Sequence, residues 1–171
     1  MIRLTMLLLA ILLCGPAFAA DCPLSRIEQA LNASLDKMKP LEREVSDVQS
    51  TEGGTWRIYR EKDGRVNTIT RGDYGESGRG ELRLSIVNRN TYGIAKTRID
   101  YIRHAFLEDQ GPFAFHKVTT EYFFYCDGKL YLPGVTGATM DLDQYKKDGD
   151  EALAAFLSAK DVADFTKGLK R

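Results

Sequence analysis

The sequence predicts an α+β protein in which an N-terminal helix packs on a five- to six-stranded antiparallel β-meander and two short helices follow at the C-terminus. Three observations lead to this prediction: one periodic apolar stretch, several alternating segments and two late apolar groups. The dipeptide Asp-Gly occurs twice between alternating segments, at residues 63–64 and 127–128. Because its backbone accepts the positive φ angles of a primed turn, Asp-Gly is a strong hairpin signal.

Residues 1–20 have the pattern of a cleaved secretory signal peptide. Arg3 supplies a basic start, residues 7–13 are apolar, and small side chains precede the expected cleavage point. This run is too short to span a bilayer, and no later apolar run is long enough either. We therefore expect residues 21–171 to form one exported domain, periplasmic or extracellular, without a transmembrane segment.

The composition is that of a folded domain and argues against a nucleic-acid partner. Charged residues make up 28% of the sequence and hydrophobic residues 43%, an ordinary globular balance. The formal net charge is +0, so the overall basic field that nucleic-acid binding needs is absent. We expect no nucleic acid among the partners.

Two cysteines, Cys22 and Cys126, remain once the signal segment is removed. In an oxidising compartment two thiols most simply form one disulfide. This bond would join the mature N-terminus to the strand before the last hairpin. A reactive Cys126 beside a histidine is the less favoured alternative, because a lone exported thiol tends to be oxidised.

The segment 23–50 has the spacing of one helix face. Apolar side chains recur every third or fourth residue, at Leu24, Ile27, Leu31, Leu35, Met38, Leu41, Val45 and Val48. Pro40 removes a backbone donor, and because the apolar phase continues past it we expect a helix kinked at this proline. We expect the helix to cover the sheet. The alternative is that its apolar stripe forms the seam of a homodimer.

The middle and the C-terminal parts have different patterns. Residues 56–133 alternate in part, which predicts antiparallel strands with one covered face and one wetter, locally basic face. Apolar groups at 153–157 and 162–169 predict the two short helices. Ser158 followed by Asp161 has the form of a capping box that would start the second of them.

Two groups of residues are candidates for a binding surface. The first is an aromatic loop around Gly111-Pro112, whose side chains would form an exposed apolar knob: Phe106, Leu107, Phe113 and Phe115. The second is the basic face of the sheet, represented by Arg57, Arg83 and Arg98. A protein partner suits the loop, and an anionic envelope component such as a polysaccharide or lipid headgroup suits the arginines.

The two histidines are a weak candidate for a metal site. The segment 104–116 is nearly symmetric about Gln110-Gly111, so a hairpin in that register places His104 opposite His116. Opposed residues lie about 4.5–5.5 Å apart at Cβ, close enough for two imidazoles to share a metal. Zinc needs at least one further ligand, and none follows at a characteristic spacing. We therefore assign no metal, no cofactor and no catalytic residue.

These observations predict an exported, non-catalytic binding or interaction module for a protein or an anionic envelope component. The prediction depends on the signal pattern, the expected disulfide, the basic sheet and the lack of a complete catalytic motif in the sequence. Two alternatives stay open: a small metal- or histidine-dependent hydrolase using His104 and His116, and a structural homodimer through the N-terminal helix.

Overall fold

One antiparallel sheet organises the protein. A computed structural model describes residues 22–47, 52–102, 115–132 and 141–169, and its seven strands pair in chain order. The strands are β1 (Leu41–Glu44), β2 (Gly54–Arg60), β3 (Val66–Gly75), β4 (Gly78–Asn88), β5 (Thr91–Tyr101), β6 (Phe115–Cys126) and β7 (Lys129–Leu130). The helices are α1 (Leu24–Asn32), α2 (Leu142–Leu157) and α3 (Ala163–Thr166). The coarse prediction of an α+β meander with helices is confirmed.

The N-terminal helix is shorter than the sequence predicts, and the predicted kink is wrong. α1 ends at Asn32, whereas residues 41–44 form β1, in which Leu41 lies opposite Ile58. Pro40 lacks the N–H that a helix interior needs, and it disfavours helical φ and ψ at Lys39. The residues after Pro40 find partners for their backbone hydrogen bonds by pairing with β2. β1 is therefore an additional strand, and it explains why the count exceeds five or six.

The face of the sheet beneath α2, here called the α2 face, carries the main core. One buried row crosses five strands through Ile58, Ile69, Leu84, Ile94 and Phe123. Trp56 lies beside this row. The ring of Phe156 in α2 packs edge-on against the ring of Trp56, with 5.6 Å between the two centroids. Burying an apolar side chain of this size stabilises the fold by about 1.5–3 kcal/mol. This row therefore attaches α2 to the sheet.

The opposite face, here called the α1 face, is covered in part. Ile27 and Leu31 of α1 are buried against it, where β5 has Gly93. A Cβ at Gly93 would overlap Ile27 and lie 2.8 Å from Cδ1 of Leu31. The expected single covered face is therefore only half correct, because the sheet carries helices on both sides.

The hairpin turns follow the sequence closely. Gly64 in the β2–β3 turn has a φ of 85°, and Asp127 and Gly128 in the β6–β7 turn have φ values of 53° and 75°. Two consecutive positive φ angles are those of a type I′ turn, which matches the twist of the flanking strands. Both predicted hairpins are present, but only Asp127-Gly128 has the two positive φ angles of a primed turn, since Asp63 is not among the residues with a positive φ.

The disulfide between Cys22 and Cys126 is present, as the sequence predicts. Its Cα atoms are 5.6 Å apart, and 104 residues separate the two positions in the chain. The bond joins Cys22, two residues before α1, to Cys126, the last residue of β6. It therefore holds α1 against the end of the sheet.

The C-terminal part differs from its prediction in detail. α2 has 16 residues rather than being short, and Asp141 caps it by accepting the backbone N–H groups of Asp143 and Gln144. The predicted capping box is wrong. Ser158 instead ends α2, where its Oγ donates to the carbonyl of Ala154, and a 3₁₀ turn at Lys160–Val162 leads into α3.

Candidate functional site

The three arginines chosen from the sequence do not converge on one surface. Arg57 and Arg83 lie on the α1 face, and both have partners. Arg57 pairs with Glu42 at 2.8 Å, whereas Arg83 donates to two carbonyls at the C-terminus of α1. Burial lowers the pKa of Arg83 from its ordinary value. Arg98 lies on the α2 face and pairs with Asp100 at 2.9 Å.

Most of the predicted aromatic loop lies outside the described residues. Phe106, Leu107 and Phe113 belong to the part of the chain that is not described. Phe115 begins β6 and is 51% exposed, with its ring 6.2 Å from that of Tyr101. Its exposure fits a contact surface, and the prediction for the whole loop stays untested.

The histidine hypothesis is likewise untested. His104 lies outside the described residues, and His116 is exposed near the start of β6. At the end of the β5–β6 hairpin, Asp100 pairs with Lys117 rather than with Thr120, the partner that the symmetric register requires. Among the residues that the structure describes, no three His, Cys, Asp or Glu side chains lie close enough together to hold a metal ion.

A different set of cations lines an open cleft of about 980 Å³. The cleft lies between the β2–β3 turn, the end of β4 and the segment around α3. We call it the basic cleft; its charged lining residues are Arg43, Arg60, Arg65, Arg89, Lys167, Glu61 and Asp164. The lining residues have a positive balance, five cations to two carboxylates, although Arg65 is paired at 2.6 Å with Asp63, which is not one of them.

The ring of Phe165 holds two guanidinium groups in the basic cleft. The Cζ atoms of Arg43 and Arg60 lie 4.9 and 5.2 Å from its centroid, within reach of a cation–π interaction. Arg60 donates to the carbonyl of Gly64, and Arg43 donates to the carbonyl of Asp161. A guanidinium carries five N–H donors, so both groups keep donors for a ligand.

The carboxylate of Asp161 ties the segment that carries Phe165 to the end of β1. The backbone N–H and the Oγ of Ser46 each donate to its Oδ2 at 3.0 Å. The hydrogen bonds from Ser46, assisted by the charge of Arg43, hold the pKa of Asp161 below its usual range. This link fixes one wall of the basic cleft relative to the edge of the sheet.

Two other concave regions are balanced in charge. A cleft of about 810 Å³ beside α2 is lined by Lys129 and Lys147 together with Asp150 and Glu151. A third, of about 480 Å³ near the β3–β4 turn, contains the ion pairs Arg79–Glu81 and Arg98–Asp100, both at 2.9 Å. Cations that are already paired attract an anion weakly. The basic cleft is therefore the better candidate site.

The side chains of the basic cleft define what it can do chemically. An arginine stays protonated in proteins, so it supplies charge and planar donors rather than acid–base chemistry. Two such groups beside one another can hold carboxylate, phosphate or sulfate oxygens through charge-assisted hydrogen bonds. The arrangement is suited to binding an anion.

Sequence reasoning missed the basic cleft because its parts are far apart in the chain. Arg43 fell within the predicted helix, and Lys167 fell within a tail that is acidic overall. One signal was available: the second, fourth and sixth turns of a seven-stranded meander lie at the same end of the sheet. Arg65 and Arg89 occupy two of these turns, so the pattern predicts that they share one end.

Comparison with protein-family models, with curated proteins and with solved structures finds no match for this chain. Within the described parts of the chain, no helix is long and apolar enough to cross a bilayer. Function must therefore be inferred from the geometry of the site.

Proposed function

We propose that the protein is an exported, non-catalytic module that binds an anionic envelope component in the basic cleft. The observation that carries the proposal is the pair of guanidiniums of Arg43 and Arg60 on the single ring of Phe165. A bound anion near this ring would offset the charge of both cations.

The size and surroundings of the basic cleft support this function. Its volume of about 980 Å³ is at the upper end of the range typical of small-molecule sites. The hydrogen bonds of Arg43 and Arg60 go to backbone carbonyls, and the nearby carboxylate of Asp161 offsets part of the charge of Arg43. A ligand with several carboxylate, phosphate or sulfate groups could therefore contact more than one cation at once.

Export supports the choice of an envelope ligand. The signal-like segment at residues 1–20 and the disulfide between Cys22 and Cys126 both suit an oxidising compartment outside the cytosol. Anionic polysaccharides and lipid headgroups are abundant polyanions of the cell envelope. Both present the repeated negative groups that the basic cleft would bind.

A titration with two kinds of polyanion tests the proposal. The probes are dextran sulfate and vesicles of phosphatidylglycerol, with phosphatidylcholine vesicles as the uncharged reference. We expect Arg43→Gln/Arg60→Gln to weaken binding of one or both anionic probes at least about tenfold, about 1.4 kcal/mol. Affinity should also fall as salt is raised, because the contacts are electrostatic.

The matched control is Arg57→Gln/Arg98→Gln, which removes the same charge from two arginines that lie outside the basic cleft. It should bind nearly as well as the wild type, and thermal unfolding should show that all variants are folded. Equal losses in the two double variants would mean that only the total charge matters. If the wild type binds neither anionic probe, the proposal is wrong.

The other hypotheses remain open. Phe115 is exposed, so a protein partner at the aromatic loop would be lost in Phe115→Asp without a fall in melting temperature. The hydrolase hypothesis requires that His104→Ala/His116→Ala lower zinc affinity. A homodimer through the N-terminal helix would have to use residues other than Ile27 and Leu31, which are buried against the sheet.

A further inference from the structure

Among the described residues, much of the outer edge of β6 has no strand paired with it. This strand spans Phe115–Cys126, whereas β7 pairs only with Tyr125 and Cys126. Within the described residues, no strand lies beyond β6 between residues 115 and 122. Two of its apolar side chains are exposed there, Val118 by 55% and Tyr122 by 44%. An unpaired strand edge of this kind is a template for pairing with another strand.

The orientation of the backbone groups at this edge follows from two hydrogen bonds. The carbonyl of Phe124 accepts the N–H of Tyr131, and the carbonyl of Tyr122 accepts the hydroxyl of Tyr145 in α2. Both carbonyls therefore point away from β5. Alternate residues of a strand direct their backbone groups to the same side. The backbone N–H and C=O groups of residues 118 and 120 therefore point away from β5 as well.

We propose that two copies of this chain pair antiparallel through the open edge of β6, about a two-fold axis at Thr119. In this register Val118 lies opposite Thr120 of the second copy, and Thr120 lies opposite Val118. Both residues present outward backbone groups, so each pair can exchange both of its N–H···O=C bonds. The two sheets would then become continuous, through an interface that is the same patch on both copies.

Charge complementarity selects this register. With the axis at Thr119, Lys117 of each copy lies opposite Glu121 of the other, and opposite charges directly across a strand pair are stabilising. Lys117 and Glu121 lie on one face of β6 and are exposed; within the chain they lie opposite Asp100 and Lys96 of β5, so charges of opposite sign would alternate across the interface. Neither neighbouring register brings them together.

The neighbouring registers also conflict with the backbone. An axis at Thr120 would need the outward carbonyl of Tyr122, which Tyr145 already occupies. An axis at Val118 would need regular pairing at His116, where the β5–β6 register shifts between Asp100 and Tyr101. In the register centred on Thr119, the central hydrogen-bonded pairs at residues 118 and 120 involve neither group, and the pairing would end before His116 and Tyr122.

Sedimentation of the mature, disulfide-bonded chain over a range of concentrations provides the first test. We expect a monomer–dimer equilibrium that Lys117→Glu weakens about tenfold, because it places like charges opposite each other twice in each dimer. The double swap Lys117→Glu/Glu121→Lys should restore association relative to Lys117→Glu, although it places the new side chains opposite the like charges of Asp100 and Lys96 within each chain. Thermal unfolding shows whether each variant keeps its fold.

Oxidative cross-linking provides a second test that depends on the register. In the proposed pair, Thr119 faces Thr119 of the second copy with Cα atoms about 4.5 Å apart, a spacing that a disulfide can bridge. Thr119→Cys should therefore form a covalent dimer. The matched control Lys117→Cys, on the same strand and face, would have its two thiols about 13 Å apart along the strand and should not.

Each other outcome would overturn the proposal. A chain that stays monomeric up to its solubility limit, with no cross-link through Thr119→Cys, does not pair through β6. A dimer that is indifferent to Lys117→Glu, or that the double swap fails to restore, is held together elsewhere or in another register. Equal cross-linking of the two cysteine variants would indicate random collision.

Discussion

At the scale of single residues, Asp161 shows how a polar side chain far from the core can hold a site together. Its carboxylate accepts both donors of Ser46, and these bonds lower its pKa in the folded state. A carboxyl group with a depressed pKa stabilises the fold at pH values above its unfolded pKa of about 3.9. This contribution is lost as the pH falls through the lower value of the folded state.

We therefore predict a pH-dependent effect of Asp161→Asn. The variant should be less stable than the wild type by on the order of 1 kcal/mol at pH 7, because it lacks the charged acceptor of two hydrogen bonds. The difference should shrink as the pH falls from about 4 towards the lower pKa of the folded state, below which the wild-type carboxylate is protonated too. Urea unfolding at both pH values measures this. Asp164→Asn is the control, since it removes the same charge from α3 without these bonds, and a difference that stays constant with pH would contradict the assignment.

At the scale of elements, the approach of α1 to the sheet depends on a glycine. Gly93 leaves space for Ile27 and Leu31, and we predict that Gly93→Ala pushes α1 outward at a cost of about 1–3 kcal/mol. The matched control is Gly80→Ala on β4, where an added Cβ meets nothing within 4 Å. Urea unfolding compares the two variants, and hydrogen exchange should be faster in α1 only for Gly93→Ala. Similar stability of both variants would show that the contact can relax.

The elements also show what local pattern can and cannot predict. The Asp-Gly turns were predictable, because two residues alone determine a positive φ in a hairpin. β1 was not, because Leu41 and Val45 continue the helical spacing of the preceding segment, and only pairing with β2 makes residues 41–44 a strand. The basic cleft was hidden for the same reason, since Arg43 meets Phe165 only after β1 and α3 are in place.

At the scale of the whole molecule, the two proposed surfaces lie at opposite corners of the sheet. The basic cleft includes residues 86–89, at the end of β4. The open edge of β6 lies at the other end of the sheet, where Lys117 is opposite Asp100 of β5 and Asp100 is opposite Gly78 at the start of β4. Anion binding and pairing of two copies therefore do not compete for the same residues. A dimer would carry two basic clefts, and a polymeric anion that spans both would bind more tightly than one that reaches a single cleft.

The disulfide acts on the whole molecule because it closes a loop of about 100 residues. α1 has nine residues, fewer than an isolated helix needs in water, so it depends on packing and on this link. In the chain-entropy model, closing such a loop is worth up to about 4.7 kcal/mol, and measured values are typically about 2–4 kcal/mol.

We predict that Cys22→Ser/Cys126→Ser lowers the free energy of unfolding by about 2–4 kcal/mol and speeds hydrogen exchange in α1 more than in β3 and β4. Reduction of the wild type should reproduce the loss. An unchanged free energy of unfolding would instead show that the reduced, unfolded chain already keeps these two positions close.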